Sequence, residues 1–359
     1  MVSRKATNIV TYTAGEQPQD KKYIKLNTNE NPYPPSDKVI SALKSADFSR
    51  LRLYPDPEST VLRLAAAKEF GLKPENVFCG NGSDEILAFC FQAFFDQSTN
   101  DKGQMNDRYV YFPNITYSFY PVWCSLFDIP YKTVPLADGF AVSAADYLNL
   151  KDSQGVVLAN PNAPTGRALP LEDIEQIVAA NKNNAVIIDE AYVDFGGETA
   201  APLVKKYDNV CVVRTFSKGY SLAGMRAGFA LASEKLVGAL KKIRDSFNSY
   251  PLDMLAQTAA AAALADKEYA AKQAAKVVDT RARFIKVLEK AGFYVVPSSA
   301  NFIFASHKTV RAETLYLKLK EAGVLVRWFN KPLIDNFLRI SIGTDEEMRE
   351  CARLIKSYV

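Results

Sequence analysis

The chain has 359 residues, 48% of them apolar and 23% charged, with a net charge of +4. That length favours two domains over a single core, and so small a net charge argues against a dedicated nucleic-acid binder while leaving room for a small anionic substrate. The five cysteines follow no CxxC spacing, which points to reduced thiols in a cytoplasmic protein; the lone histidine, His307, excludes a histidine-built metal site and is expected on the surface or in a loop.

The N-terminal residues MVSRKATNIVTY lack the apolar core of a signal peptide, and no apolar run approaches the roughly 20 residues that span a bilayer. Residues 1–35 are polar and rich in Pro and Asn, and NPYPP at 31–35 cannot be helix interior. They read as an irregular arm lying over the rest. Residues 59–70 have helical spacing and stop at Gly71, and 84–95 form a strongly apolar, buried helix. Short apolar runs at 108–112, 155–159, 185–188 and 209–214 read as buried strands, with a helix at 171–180 between two of them. Strands alternating with helices predict an α/β fold, with a mostly parallel sheet flanked by helices over 36–245. Near residue 250 the pattern changes. A helix is expected from Pro251 and another over 267–291. Strands follow at 301–304, 324–327 and 337–342, and an amphipathic helix takes the last 15 residues. This predicts a smaller α+β domain over 246–359. Cys90 and Cys211 sit in apolar runs and are expected in the core.

Ligands of open α/β sheets bind beyond the carboxyl ends of the strands, so the residues that follow each strand carry the functional information. After 155–159 comes NPNAPTG (160–166). After 185–188 comes DEAY (189–192). After 209–214 come Thr215, Phe216, Ser217 and Lys218, then LAGMR (222–226). Earlier, GNGSDE (80–85) opens a helix behind a short apolar run. Taken singly, these are a turn, a capping acid, a surface Ser-Lys pair and a weak phosphate signal. Their joint occurrence at neighbouring strand ends points to one site holding an amine, a carboxylate, a phenol and an anion cradle.

The order and spacing of these motifs resemble the fold-type I pyridoxal-phosphate-dependent aminotransferases, over most of the chain from Asn27 to Thr344. The arm LNTNENPYPPS (26–36) together with YPDP (54–57) resembles the histidinol-phosphate branch of that family more specifically. The resemblance implies that Lys218 bonds the cofactor's aldehyde and later moves the α-proton, and that Asp189 faces the pyridine nitrogen and keeps it protonated. Tyr192 and an asparagine are expected on the ring oxygen. Where the family often has Asn before Pro-Thr-Gly this chain has Ala163, and that role passes to Asn162. The cofactor phosphate is expected on the backbone of Gly82, Ser83 and Asp84 at a helix N-terminus, with Ser217 and Arg226 assisting. Tyr117 is expected to stack on the ring. Tyr54 is expected to reach the phosphate in the other subunit, which implies a homodimer with shared active sites and an arm that packs on the small domain and the partner.

By the same resemblance Arg339 takes the amino-acid carboxylate, Arg327 makes a second anion contact such as a substrate phosphate, and Tyr23 and Tyr33 of the arm line the pocket. The implied reaction is a ping-pong amino transfer between glutamate and a phosphorylated keto acceptor, imidazole-acetol phosphate, in histidine biosynthesis. Threonine-phosphate decarboxylases and aromatic aminotransferases share the scaffold. A non-catalytic ligand-binding module of the same fold is the alternative from another class. A nicotinamide enzyme is disfavoured, because no GxGxxG with a later acidic residue is present.

Overall fold

A seven-stranded and a four-stranded sheet, with a two-stranded ribbon formed with the arm, organise the computed structural model, which describes residues 1–99 and 103–359. The arm is not wholly irregular. It carries a short helix α1 (Arg4–Asn8), capped by Ser3, and a two-residue strand β1 (Ile24–Lys25). Ser36 caps α2 (Asp37–Lys44), and α3 (Thr60–Phe70) ends at Gly71, whose φ of +59° supplies the left-handed C-cap. Then follow β2 (Val77–Gly80), α4 (Gly82–Phe94), β3 (Tyr109–Pro113), α5 (Tyr120–Phe127), β4 (Tyr131–Val134), β5 (Ser153–Ala159), α6 (Leu171–Ala180), β6 (Ala185–Asp189), β7 (Val210–Thr215), β8 (Gly228–Ala232) and α7 (Glu234–Phe247).

These strands form a seven-stranded sheet in the order β2-β8-β7-β6-β5-β3-β4. The pairs from β4 to β7 are parallel, and β8 is antiparallel to both β7 and β2. Every residue of β5 and β7 is buried, as a sheet covered on both faces requires. Side chains alternate between the faces. Leu158, Ile188 and Val212 pack toward α6, and Val157, Ile187 and Val213 toward α4 and α5. Cys90 and Cys211 lie in the second cluster with their sulfurs 3.8 Å apart.

The remainder comprises α8 (Met254–Leu264), α9 (Lys267–Lys290), β9 (Phe293–Val296), β10 (Phe302–His307), α10 (Ala312–Glu321), β11 (Val324–Leu325), β12 (Arg327–Trp328), β13 (Leu338–Ser341) and α11 (Asp345–Tyr358). A four-stranded antiparallel sheet, β12-β13-β10-β9, is closed by α9, α10 and α11 around Val277, Phe284, Ile303, Leu315, Ile340 and Ile355. α8 packs instead in the cluster of the large sheet. It starts at Met254, not at Pro251, because Asp253 caps it by accepting from the N–H of Ala256.

Two further expectations differ from the fold. The single strand at 324–327 is split: β11 pairs in parallel with β1 of the arm, while β12 turns to pair with β13. His307 is buried at 7% exposure at the end of β10, not on the surface. Its Nδ1 accepts from the N–H groups of Thr309 and Val310, so Nε2 carries the proton and donates to the Ala291 carbonyl at 3.0 Å. Among the described residues no helix is long and apolar enough to cross a membrane.

Candidate active site

Because β5, β6 and β7 are parallel neighbours, their carboxyl ends emerge side by side. β6 ends on Asp189, and β7 runs on into Ser217 and Lys218. The N-terminus of α4 enters the same edge from β2. Together with β12, β13 and the arm they wall a cavity of about 570 Å³.

Lys218 and Asp189 both face this cavity. The Lys218 ammonium donates to the Thr28 carbonyl of the arm at 3.0 Å and lies 5.7 Å from the centre of the Tyr192 ring. Burial, helped by the nearby Arg339, lowers its pKa to about 8. Asp189 accepts from the Tyr120 hydroxyl at 3.0 Å and from the Ala191 N–H at 3.2 Å. Burial nevertheless raises its carboxyl pKa to about 7, against the lowering effect of those two hydrogen bonds. The site thus holds an amine whose neutral form is far more accessible near physiological pH than that of an ordinary lysine, and an acid that gains from a cationic partner.

An anion cradle adjoins them. Asn81 does not cap α4 with its side chain, which donates instead to the Pro251 carbonyl at 3.0 Å. The first-turn N–H groups, including that of Ser83, are therefore left without a side-chain acceptor. Gly82 has a φ of +80°, and a Cβ there would meet Arg226 Nη2 at 2.6 Å. Only glycine lets the guanidinium pass over this turn. Arg226 donates to Ser217 Oγ at 3.3 Å and lies 3.5 Å from the Asp84 carboxylate, which also accepts from the Tyr117 hydroxyl at 2.8 Å. Ser83, Asp84, Tyr117, Ser217 and Arg226 all line the cavity.

On the opposite wall Arg327 and Arg339 are direct cross-strand partners in β12 and β13. Like charges facing each other are unfavourable without an anion between them. Arg339 donates to the Asn27 carbonyl at 2.8 Å, lies 5.4 Å from the Phe302 ring, and keeps a buried Nε with no partner. Arg327 donates to the carbonyls of Thr13 and Ala14 at 2.8 and 3.0 Å. Both face the cavity, as does Lys331.

Three residues expected in the pocket, Asn162, Tyr23 and Tyr33, lie elsewhere. Asn162 is buried at 1% exposure and is not on the cavity wall. Its oxygen accepts from Thr116 Oγ1, and its nitrogen donates to the Ile115 carbonyl and to Thr165 Oγ1, so the amide is used up in holding its own turn. Ala163 takes the wall position. Tyr23 points to Asp20, and Tyr33 packs with the small-sheet cluster under Lys276. Tyr54 is 80% exposed and stacks on Tyr250, outside the cavity of its own chain. In their place the cavity takes Tyr12, Thr28, Asn29 and Glu30 from the arm. Asn29 and Glu30 belong to the arm motif itself. Tyr120, the buried donor to Asp189, belongs to the aromatic run 117–120. Tyr12 and Lys331 carry no signal in the sequence.

Comparison with known proteins gives the following. The family model for aminotransferase class I and II matches residues 21–355. The histidinol-phosphate aminotransferase of Brachyspira hyodysenteriae is 52% identical over 100% of this chain and 98% of its own length. That of a Marinomonas species is 49% identical over 98% of both. Among solved structures, the histidinol-phosphate aminotransferase of Sinorhizobium meliloti in complex with pyridoxal-5'-phosphate superposes with a TM-score of 0.83 at 25% identity, over 94% of this chain and 93% of that one. The enzyme of Clostridium acetobutylicum gives a TM-score of 0.84 at 21% identity, over 93% and 98%, and so speaks for the shared fold.

Proposed function

Since the chain belongs to the class I and II aminotransferases, we propose that this pyridoxal-phosphate-dependent transaminase moves an amino group between histidinol phosphate and 2-oxoglutarate, giving imidazole-acetol phosphate and glutamate. One observation carries the reading. A single cavity has a half-buried lysine and a buried aspartate on the large-sheet wall and two facing arginines on the other.

The residues present fit the cofactor. Among the described residues, Asp189 is a buried acid with no cation bonded to it and Lys218 a half-buried amine with no carboxylate bonded to it, and the uncapped start of α4 with Arg226 forms a phosphate cradle. Pyridoxal phosphate, when bound, supplies an aldehyde that an amine can bond and a protonated ring that withdraws electrons from the neighbouring carbon. Lys218 would bond it and, once freed by the substrate amine, carry the α-proton on Nζ. A pKa near 8 suits an amine that must both take and release a proton at neutral pH. Asp189 would hold the ring nitrogen's proton, Tyr192 would donate to the ring oxygen, and Tyr117 would lie against the ring. Ser83, Ser217 and Arg226 would hold the phosphate, with Gly82 giving the clearance and Asp84 steadying Arg226.

For the substrates, Arg339 is assigned to the carboxylate of glutamate or 2-oxoglutarate and Arg327 to the phosphate of histidinol phosphate. The arm carbonyls that now satisfy Arg327 are neutral acceptors. A phosphate displaces them because a bond between two charged groups is roughly twice as strong. The proposal extends to a homodimer. Phe48, Leu51, Leu53, Tyr54, Val61 and Leu64 form a run of exposed apolar side chains, and Tyr54 is free to reach the partner's cavity. It also extends to a cytoplasmic location, which five free buried cysteines support. The division into an arm (1–35), a large cofactor-binding domain (36–245) and a small domain (246–359) belongs to the same proposal, with α8 drawing the second junction toward residue 265.

The test is a substrate panel on the loaded enzyme. Glutamate should bleach the visible band, and imidazole-acetol phosphate should restore it. Release of CO₂ from threonine phosphate, or preference for an unphosphorylated aromatic amino acid, would replace this assignment with the corresponding one.

A further inference from the structure

Asn29 stands on the cavity wall at 1% exposure with a left-handed backbone, φ +56°. It is fixed from several sides. Its N–H donates to Ser341 Oγ at 2.9 Å, the Ser341 hydroxyl donates to its Oδ1 at 2.9 Å, and Asn301 Nδ2 donates to its carbonyl at 2.9 Å. With Oδ1 engaged by a hydroxyl proton, the amide nitrogen must face the other way. There Nδ2 donates to the Tyr192 hydroxyl oxygen at 3.0 Å.

A phenol has one proton to give and lone pairs to receive. The amide N–H fills a lone pair of Tyr192 and offers its proton no acceptor. The open direction for that proton is the cavity, which Tyr192 lines. We infer that Asn29 is a positioning residue that aims the Tyr192 hydroxyl proton at the ring oxygen of the bound cofactor, an inference that rests on the cofactor reading above. Charged and titratable groups around Tyr192 are Lys218, Arg339, Asp189 and the phenols Tyr12, Tyr117 and Tyr120. Of the described residues, Asn29 is the one that hydrogen-bonds the hydroxyl. The arm thereby acts on the electronics of the site as well as covering it.

The consequence is a pH midpoint. A donor on the ring oxygen draws negative charge from it and weakens the hold of the adjacent Lys218 nitrogen on its proton. Losing the donor raises the pH at which the visible band of the loaded enzyme changes.

Two variants separate the cases. Asn29→Gly keeps the left-handed backbone and removes the amide. Asn29→Asp keeps the shape but presents an acceptor that captures the Tyr192 proton. The expected midpoint rises by about half a pH unit for Asn29→Gly and by about one unit for Asn29→Asp. Tyr192→Phe also raises it, and adding Asn29→Gly to Tyr192→Phe adds nothing. A merely structural role would lower thermal stability while leaving the midpoint in place. If Tyr192→Phe moves the midpoint and neither Asn29 variant does, or if the double variant is additive, the role of Asn29 is overturned. If Tyr192→Phe itself moves nothing, the contact between Tyr192 and the cofactor is what fails.

Discussion

The two walls of the cavity are built differently. The large-sheet wall is a set of strand ends and one helix start, each anchored in an element packed into the core: Asp189 closes β6, Lys218 follows β7, and Ser83 lies in the first turn of α4. The facing wall is made of two short strands, β12 and β13, a loop and the arm. Its cations are held by backbone carbonyls from residues 13, 14 and 27. A wall of the first kind keeps a covalent partner at fixed geometry. A wall of the second kind can exchange carbonyl acceptors for a substrate anion. Chemistry is therefore expected to reside on the first wall and selection on the second.

The largest effect should come from the first wall. Lys218→Ala removes the amine that bonds the cofactor and moves the proton, and turnover should fall by on the order of 10⁴-fold or more while the circular dichroism spectrum is retained. A residual rate within tenfold of wild type would break the contrast. On the second wall Arg339→Ala should lower kcat/KM by on the order of 10²-fold for glutamate, whose carboxylate it is assigned to hold, and by less for the phosphorylated substrate, which has no carboxylate. Arg327→Ala should weaken mainly the phosphorylated substrate, by about tenfold and chiefly in KM. Equal losses for both substrates in Arg327→Ala would contradict the division of labour between the two arginines.

The smallest effect concerns stability without cofactor. Burial raises the Asp189 pKa from 3.8 to about 7, so between those values the folded chain holds a proton the unfolded chain has released. Stability therefore falls as pH rises through that window. Lys218 is displaced the other way, from 10.5 to about 8, so its contribution improves as pH rises through its own window. Asp189→Asn should raise the thermal midpoint of the cofactor-free protein by a few degrees at pH 8 and leave it nearly unchanged at pH 4. An equal shift at both values would show that the buried charge is not the cause.

The same contrast explains what was legible in the sequence. Continuous apolar runs ending in DEAY or SK mark a strand and its tip together, so the first wall could be read from neighbouring letters. Within that wall the motif points to Asn162, but a tight turn alternates inward and outward side chains over single residues and places Ala163 on the cavity instead. The Asn162 amide is consumed by Ile115, Thr116 and Thr165, contacts that no spacing encodes. The arm has no period to orient it, so Tyr23 and Tyr33 were expected in a pocket that takes Tyr12 and Asn29 instead. The break at Val326 was hidden because β11 and β12 form one apolar run and differ only in their distant partners, β1 and β13. A lone histidine reads as a surface residue, and His307 is buried because Ala291, Thr309 and Val310 satisfy both ring nitrogens, partners that no spacing encodes.

The most direct test locates the covalent bond. Protein loaded with pyridoxal phosphate is reduced with borohydride, digested and mapped by mass spectrometry. The adduct should fall on Lys218 alone, and Asp189→Asn should lower its yield. An adduct on another lysine of the cavity, such as Lys331, or a protein that takes up no cofactor, would contradict the account.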